Sequence, residues 1–308
     1  MSDAALPEEP LAHVAYCHDG TLEGLLSAVF EAYARHERPQ DIMAEDQLQL
    51  RLGQALRRIP TDEAHAERVR RGIVRVGGTA TFEAVMQASL SDDPHAGTAV
   101  YRFIRHAMAQ GRSHSCTGCP QSQTRSGVCQ RSSCPKATLS SSAFDDPTHP
   151  DVEPLHRLAR AVMNERHLMV QFLRFEHVEN GLWIAQCNPK ASVVPLLMDW
   201  FCARFNTQSF IIYDETHRLA GVYGGHAWHL VRTEGLTVPD QASDERVMQA
   251  AWKRFYRTVS IDARYNPELR RQFMPKRLWK NILEMHEDLP GSELSRSGEG
   301  GAERLWRG

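Results

Sequence analysis

Between Gly111 and Ala137 the only aliphatic side chain larger than alanine is Val128, and Ser, Thr, Gln, Gly and Arg fill most other positions. Such a stretch cannot bury enough apolar surface to offset the entropy of ordering its backbone. It is therefore either a disordered insert or a loop held by something other than a core. The foldable parts of the 308-residue chain must lie on either side of it. The organisation expected is a mainly helical part at 1–110, a Cys-rich polar insert or linker at 111–150, an α+β part with a basic C-terminal segment at 151–289, and a disordered Gly/Ser/charge-rich tail at 290–308.

Hydrophobic periodicity sets the elements. Residues 14–18 (VAYCH) read as a strand ending at Asp19-Gly20. Leu22, Leu25, Leu26, Val29, Phe30 and Tyr33 follow at helical spacing and share one face. Thr21 or Asp19 is placed to cap that helix. A second helix opens at Thr61-Asp62-Glu63, with further helical segments near 81–90 and 95–110. Beyond the insert, 153–166 reads as helix. Leu168 to Val178 and Leu182 to Cys187 read as strands joined by Glu179-Asn180-Gly181, a strong hairpin signal. A helix over 193–205, a buried strand at 210–213, two more strands to Val231 and a helix over 244–260 complete the pattern. The fold class expected is α+β, with the helical N-terminal part packed on a C-terminal, mostly antiparallel sheet flanked by helices.

Inside the polar insert lie Cys116, Cys119, Cys129 and Cys134, four of the seven cysteines, in the order C-x2-C-x9-C-x4-C. Four thiolates complete a tetrahedral site, and a C-x-x-C pair is the usual chelating knuckle, so the set is expected to bind one metal, zinc or alternatively an iron–sulfur cluster. A redox-active thiol pair is the competing reading. His114 is a spare ligand.

From Trp252 to Lys280 the chain turns basic. Lys253, Arg254, Arg257, Arg264, Arg270, Arg271, Lys276, Arg277 and Lys280 stand against Asp262 and Glu268, a local charge of +7 in a chain of net charge −2. Such cations release counterions from phosphates. The interleaved Trp252, Phe255, Tyr256, Tyr265, Phe273 and Trp279 offer stacking surfaces for unpaired bases. These nine cations and Trp279 are the candidate nucleic-acid contacts; the alternative is an aromatic core behind a solvated cationic face. Tyr213, Asp214 and His226 are the candidate catalytic residues, because Asp214 ends a buried strand. His226 and His229 have odd spacing and would point to opposite faces of one strand, which argues against a paired ligand set. No phosphate loop, serine elbow or H-E-x-x-H string occurs.

Several blocks together resemble one bacterial family. They are YCHDGTLEGLLSAVFEAY (16–33), IPTDEAHAERVRRGI (59–73), FLRFEHVENGLWIAQCNPKASVVPLL (172–197), WFCARFNTQSFIIYD (200–214) and WKRFYRTVSIDARYNPELRRQFMPKRLWKNILE (252–284). The family is a domain of unknown function described as a DNA-metabolism or DNA-repair protein. It is linked genomically to a radical-SAM protein and sometimes fused to a uracil-DNA-glycosylase-like domain. The resemblance implies a DNA-related setting and a radical-SAM partner, with a glycosylase-like protein as a further one; it carries no agreed catalytic residues. The function expected is an accessory factor that binds DNA, single-stranded or locally opened. The alternative is an enzyme acting on a nucleobase or the DNA backbone. The acidic N-terminus has no signal-peptide pattern and no stretch approaches a membrane span, so a cytoplasmic protein is expected.

Overall fold

The computed structural model describes residues 13–113, 146–264 and 266–285. The four clustered cysteines and the C-terminal tail lie outside these residues. The chain divides into two compact units, Met1–Asn164 and Glu165–Gly308. The fold class is α+β, as the sequence indicates.

In the first unit, strand β1 (Val14–His18) is buried along its whole length. That burial follows from its place at the centre of a three-stranded parallel sheet, ordered β2-β1-β3. Strands β2 (Asp41–Ala44) and β3 (Ala55–Arg58) are four residues each and have no alternation strong enough to read in sequence. The helical reading of this part therefore has to be corrected to include a sheet. Helix α1 (Leu22–Ala34) starts where Thr21 Oγ1 accepts the Gly24 N–H at 2.9 Å. Asp19 locks the same turn: its Oδ1 accepts from the Thr21 N–H and hydroxyl, and its Oδ2 from the Thr61 hydroxyl at 2.8 Å. Gly24 is required here, since a Cβ would stand 2.2 Å from Asp19 Oδ1. Burial alone would raise the Asp19 carboxyl pKa, but the Thr21 and Thr61 hydrogen bonds outweigh it and hold the group below the usual range.

Helix α2 (Glu63–Ser89) is capped by Asp62, whose Oδ1 accepts the His65 N–H at 2.9 Å. It runs as two helices broken at the non-helical Gly78, which adopts φ 81° and ψ 178°, and the second contains the segment expected as a separate helix near 81–90. Helix α3 (Ala96–Ser113) presents Val100, Phe103, Ile104 and Ala107 to the core, joining Leu25, Val29, Ile42, Ile73 and Val85.

Helix α4 (Glu153–Phe172) holds the division between the units, and it outruns its expected end at 166. The strand expected from Leu168 is thus helical to Phe172, because Leu155, Leu158, Val162, Met169 and Leu173 are all buried at helical spacing. The Asn180-Gly181 hairpin is present, but its first strand, β4, is only Glu176–His177.

In the second unit, β4 pairs with β5 (Trp183–Cys187), β5 with β6 (Phe210–Asp214), β6 with β7 (Leu219–Tyr223) and β7 with β8 (Trp228–Arg232). All pairs are antiparallel except β5 with β6, which are parallel and linked through helix α5 (Val194–Arg204). The mostly antiparallel sheet expected is therefore present, with one βαβ crossover inside it. Phe175 meets Phe201, Phe205 and Phe210 edge-on at 5.2–5.5 Å, which anchors the sheet to α5. Helices α6 (Glu245–Val259) and α7 (Pro267–Phe273) and a 3-10 turn at Lys276–Asn281 follow. Among the described residues no helix is long and apolar enough to cross a membrane.

His18 ends β1 in a buried position, and its Nδ1 accepts the Gly20 N–H at 3.2 Å. Burial lowers its pKa, against the opposing pull of Asp19 and Asp46. A depressed folded pKa means the unfolded chain binds this proton first as pH falls. The contribution is then fully present above the unfolded value of about 6.5 and lost as pH drops through the folded value. His18→Asn keeps an acceptor near the Nδ1 position and cannot titrate. It is expected to flatten the decline in unfolding free energy between pH 7 and 5.5; identical slopes for the two proteins in urea melts would refute this.

Candidate functional sites

Parallel strands β5 and β6 end side by side, with Cys187 in register with Asp214. The carboxyl ends of parallel strands are where α/β sheets commonly place ligands, and polar side chains converge here. Asp214 is fully buried. Its Oδ1 accepts the Thr216 and His217 N–H groups at 2.9 and 3.1 Å, and its Oδ2 lies 2.5 Å from His217 Nδ1. Beside it, Glu215 Oε2 accepts from Asn188 Nδ2 at 2.7 Å and from Lys280 Nζ at 2.8 Å. The Lys280 bond first, then the Asn188 bond, hold the Glu215 carboxyl below the usual range. Buried Glu165 accepts the Lys190 N–H at 3.0 Å and Arg277 NH2 at 2.5 Å, while Arg277 NH1 reaches the Asn188 carbonyl at 3.2 Å. Cys187 is inside this ring. Burial, and then the charges of Asp214, Glu215 and Glu165, push its thiol well above the ordinary value, so it is a poor nucleophile.

Of the three catalytic candidates, Tyr213 and Asp214 end β6 while His226 is exposed at the β7–β8 turn. Asp214 pairs with Leu219 and Phe210 with Tyr223, so His226 stands at the opposite end of the sheet. The histidine that Asp214 meets is His217, three residues along in the tight turn after β6. That D-x-x-H spacing was the available signal, readable once a turn was placed there.

The basic segment separates into two groups. Arg277 and Lys280 are committed to Glu165 and Glu215. Arg270 and Lys276 flank Trp279 at 5.4 and 6.0 Å from its ring centre, and Trp279 Nε1 donates to the Met274 carbonyl, so this half-buried ring is packed against the chain. Arg254, Arg257, Arg264 and Arg271 are exposed, Lys276 is exposed at its head, and Lys253 is half-buried. The open rings are Phe255 at 55 % and Phe273 at 69 %, whereas Trp252, exposed at 40 %, carries the Arg174 guanidinium 5.9 Å from its ring centre and donates its Nε1 to Glu284 at 3.2 Å. Met248, Trp252, Phe255 and Val259 form one exposed stripe along α6 at helical spacing.

The first unit holds a third constellation, which the sequence reading did not single out. His106, on α3, and His149 face each other with ring centres 3.9 Å apart, and Asp151 stands beside them. One donor atom from each of the three lies within 4.8 Å of the others, a set that could hold a metal ion. The residues are separated by the whole polar insert, which hid the grouping. Asp151 also lines a cleft of about 300 Å³ together with Asp41, Arg51, His95, Arg102 and Arg157.

The second unit is thus an α+β sheet with a polar network at the end of its parallel pair and a cationic, aromatic outer helix. Residues 136–284 match the family model of a domain of unknown function, DUF4130. The match takes in the blocks at 172–197, 200–214 and 252–284, and leaves those at 16–33 and 59–73 outside it. No curated protein matches the chain.

Proposed function

We propose that the protein is a DNA-metabolism or DNA-repair accessory factor that holds single-stranded or locally opened DNA on the outer face of α6 and α7. The observation that carries this reading is the exposure of Phe255 on α6 and Phe273 on α7, with Trp252 exposed in part, in one chain segment with the exposed Arg254, Arg257, Arg264 and Arg271. Large aromatic rings are rarely left in water without use, and guanidinium groups between them supply both phosphate contacts and stacking. In this reading a radical-SAM protein or a glycosylase-like protein acts on the DNA so presented, in the cytoplasm. Cys116, Cys119, Cys129 and Cys134 hold a structural zinc or, alternatively, an iron–sulfur cluster.

Charge reversal at Arg254, Arg257 and Arg271 is expected to weaken binding of a short single-stranded oligonucleotide. It should also flatten the plot of log affinity against log salt by roughly 0.7 per lost phosphate contact. Phe255→Ala and Phe273→Ala should weaken binding by about 1–3 kcal/mol each and leave the salt slope unchanged. Fluorescence anisotropy across a salt series measures both. Affinity that ignores all three charge reversals would sink the proposal.

A second reading, an enzyme acting directly on a nucleobase or the backbone, is favoured by the Asp214–His217 contact, since a carboxylate on one imidazole nitrogen orients the other for proton transfer. It predicts that His217→Ala abolishes turnover while leaving oligonucleotide affinity intact.

A further inference from the structure

We propose that His106, His149 and Asp151 form a binding site for a divalent transition-metal ion, zinc in the first instance, that needs none of the clustered cysteines as ligands. Two imidazoles and a carboxylate are the donor set that zinc and its neighbours take with positions left open for water or a substrate atom. The backbone already fixes all three. His106 is held within α3, and His149 and Asp151 sit in the turn that opens α4, where the Val152 and Glu153 N–H groups both bond to the His149 carbonyl at 2.9 Å. In front of this turn, Asp146 Oδ1 accepts from the Thr148 N–H and hydroxyl.

The donor atoms are close to the spacing an ion needs. Tetrahedral ligands at zinc stand about 3.3 Å apart, and the three here fall within 4.8 Å, so small side-chain rotations close the set. All three residues are half-buried, which limits competition from bulk water while leaving access. Asp151 also lines the neighbouring cleft, whose wall mixes Arg51, Arg102 and Arg157 with Asp41 and Asp93.

Coordination has a local signature. His149 Nδ1 accepts the Asp151 N–H at 3.1 Å. An ion on Nδ1 displaces that donor, and an ion on Nε2 leaves the ring proton on Nδ1, so the Asp151 amide loses its acceptor in both cases.

The test uses the full chain with Cys116, Cys119, Cys129 and Cys134 replaced by serine, titrated with Co²⁺ and then competed with Zn²⁺. One Co²⁺ per chain is expected, with visible d–d absorption, no thiolate charge-transfer band in the near ultraviolet, and loss of the spectrum on zinc addition. His106→Ala and His149→Ala should each weaken binding at least ~100-fold, whereas His167→Ala, in the second unit, should not. Absence of Co²⁺ binding at a tenfold molar excess, or binding that survives the His106→Ala/His149→Ala double substitution, overturns the proposal. Should the serine variant fail to fold, the zinc-titrated wild-type chain decides by NMR: the Asp151 amide and the His106 and His149 ring resonances shift if the site is real, and stay in place if it is not.

Discussion

Glu165→Ala is expected to destabilise the chain by about 3–5 kcal/mol, the usual cost of removing one partner from a buried ion pair. Glu165 is buried and Arg277 is three-quarters covered, with their closest atoms 2.5 Å apart. The alanine leaves a guanidinium in a poorly solvated place and strips the Lys190 N–H of its acceptor. Replacing both residues by leucine should recover most of the loss, because the desolvation cost disappears with the charges. Urea unfolding of the three proteins measures this. A loss under about 1 kcal/mol for Glu165→Ala would show instead that the pair is well hydrated in solution. The consequence for function is direct: Arg277 is spent inside the fold, so its reversal would abolish oligonucleotide binding by unfolding the unit and would say nothing about contact.

Long periodic elements were legible in the sequence. α1 carries its apolar face at strict helical spacing behind a Thr21 cap, and Asn180-Gly181 fixes a hairpin whatever surrounds it. β2 and β3 were not, since a four-residue strand in a parallel sheet is specified by its neighbours across β1 and not by local alternation. LMVQFLRFEHV misled in the other direction. Its apolar density suits a strand, and only the buried stripe continuing from Leu155 through Met169 to Leu173 shows that the helix runs on.

The candidate sites divide the same way. The basic stretch was visible as composition, yet which cations face solvent depends on Glu165 and Glu215, 112 and 65 positions before the Arg277 and Lys280 they hold. Trp279 read as a stacking ring and is packed between Arg270 and Lys276, while Phe273 and Phe255 are the open ones. His106 and His149 are paired across an insert whose polarity drew attention to its cysteines. Pairings over such separations are set by packing, and no local spacing encodes them.

Asp214→Ala is expected to cost about 3 kcal/mol, and Asp214→Asn no more than about 1 kcal/mol, although both remove the carboxylate. The alanine orphans the Thr216 N–H and the His217 backbone N–H in the turn after β6 and removes the Asp214 contact at His217 Nδ1. Asparagine keeps the shape. Its Oδ1 can still accept both N–H groups, and its Nδ2 then faces His217 Nδ1 as a donor. That contact works only if the ring proton moves from Nδ1, where a carboxylate requires it, to Nε2. The variant therefore retains the fold and inverts the tautomer, which imidazole ¹⁵N shifts report directly. If the Asp214–His217 pair orients an imidazole for proton transfer, Asp214→Asn abolishes any turnover while the protein stays folded and still binds oligonucleotide. If the pair only ties the β6–β7 turn, Asp214→Asn leaves every function in place and Asp214→Ala alone disrupts it. Equal destabilisation by the two substitutions would contradict the hydrogen-bond account on which both alternatives depend.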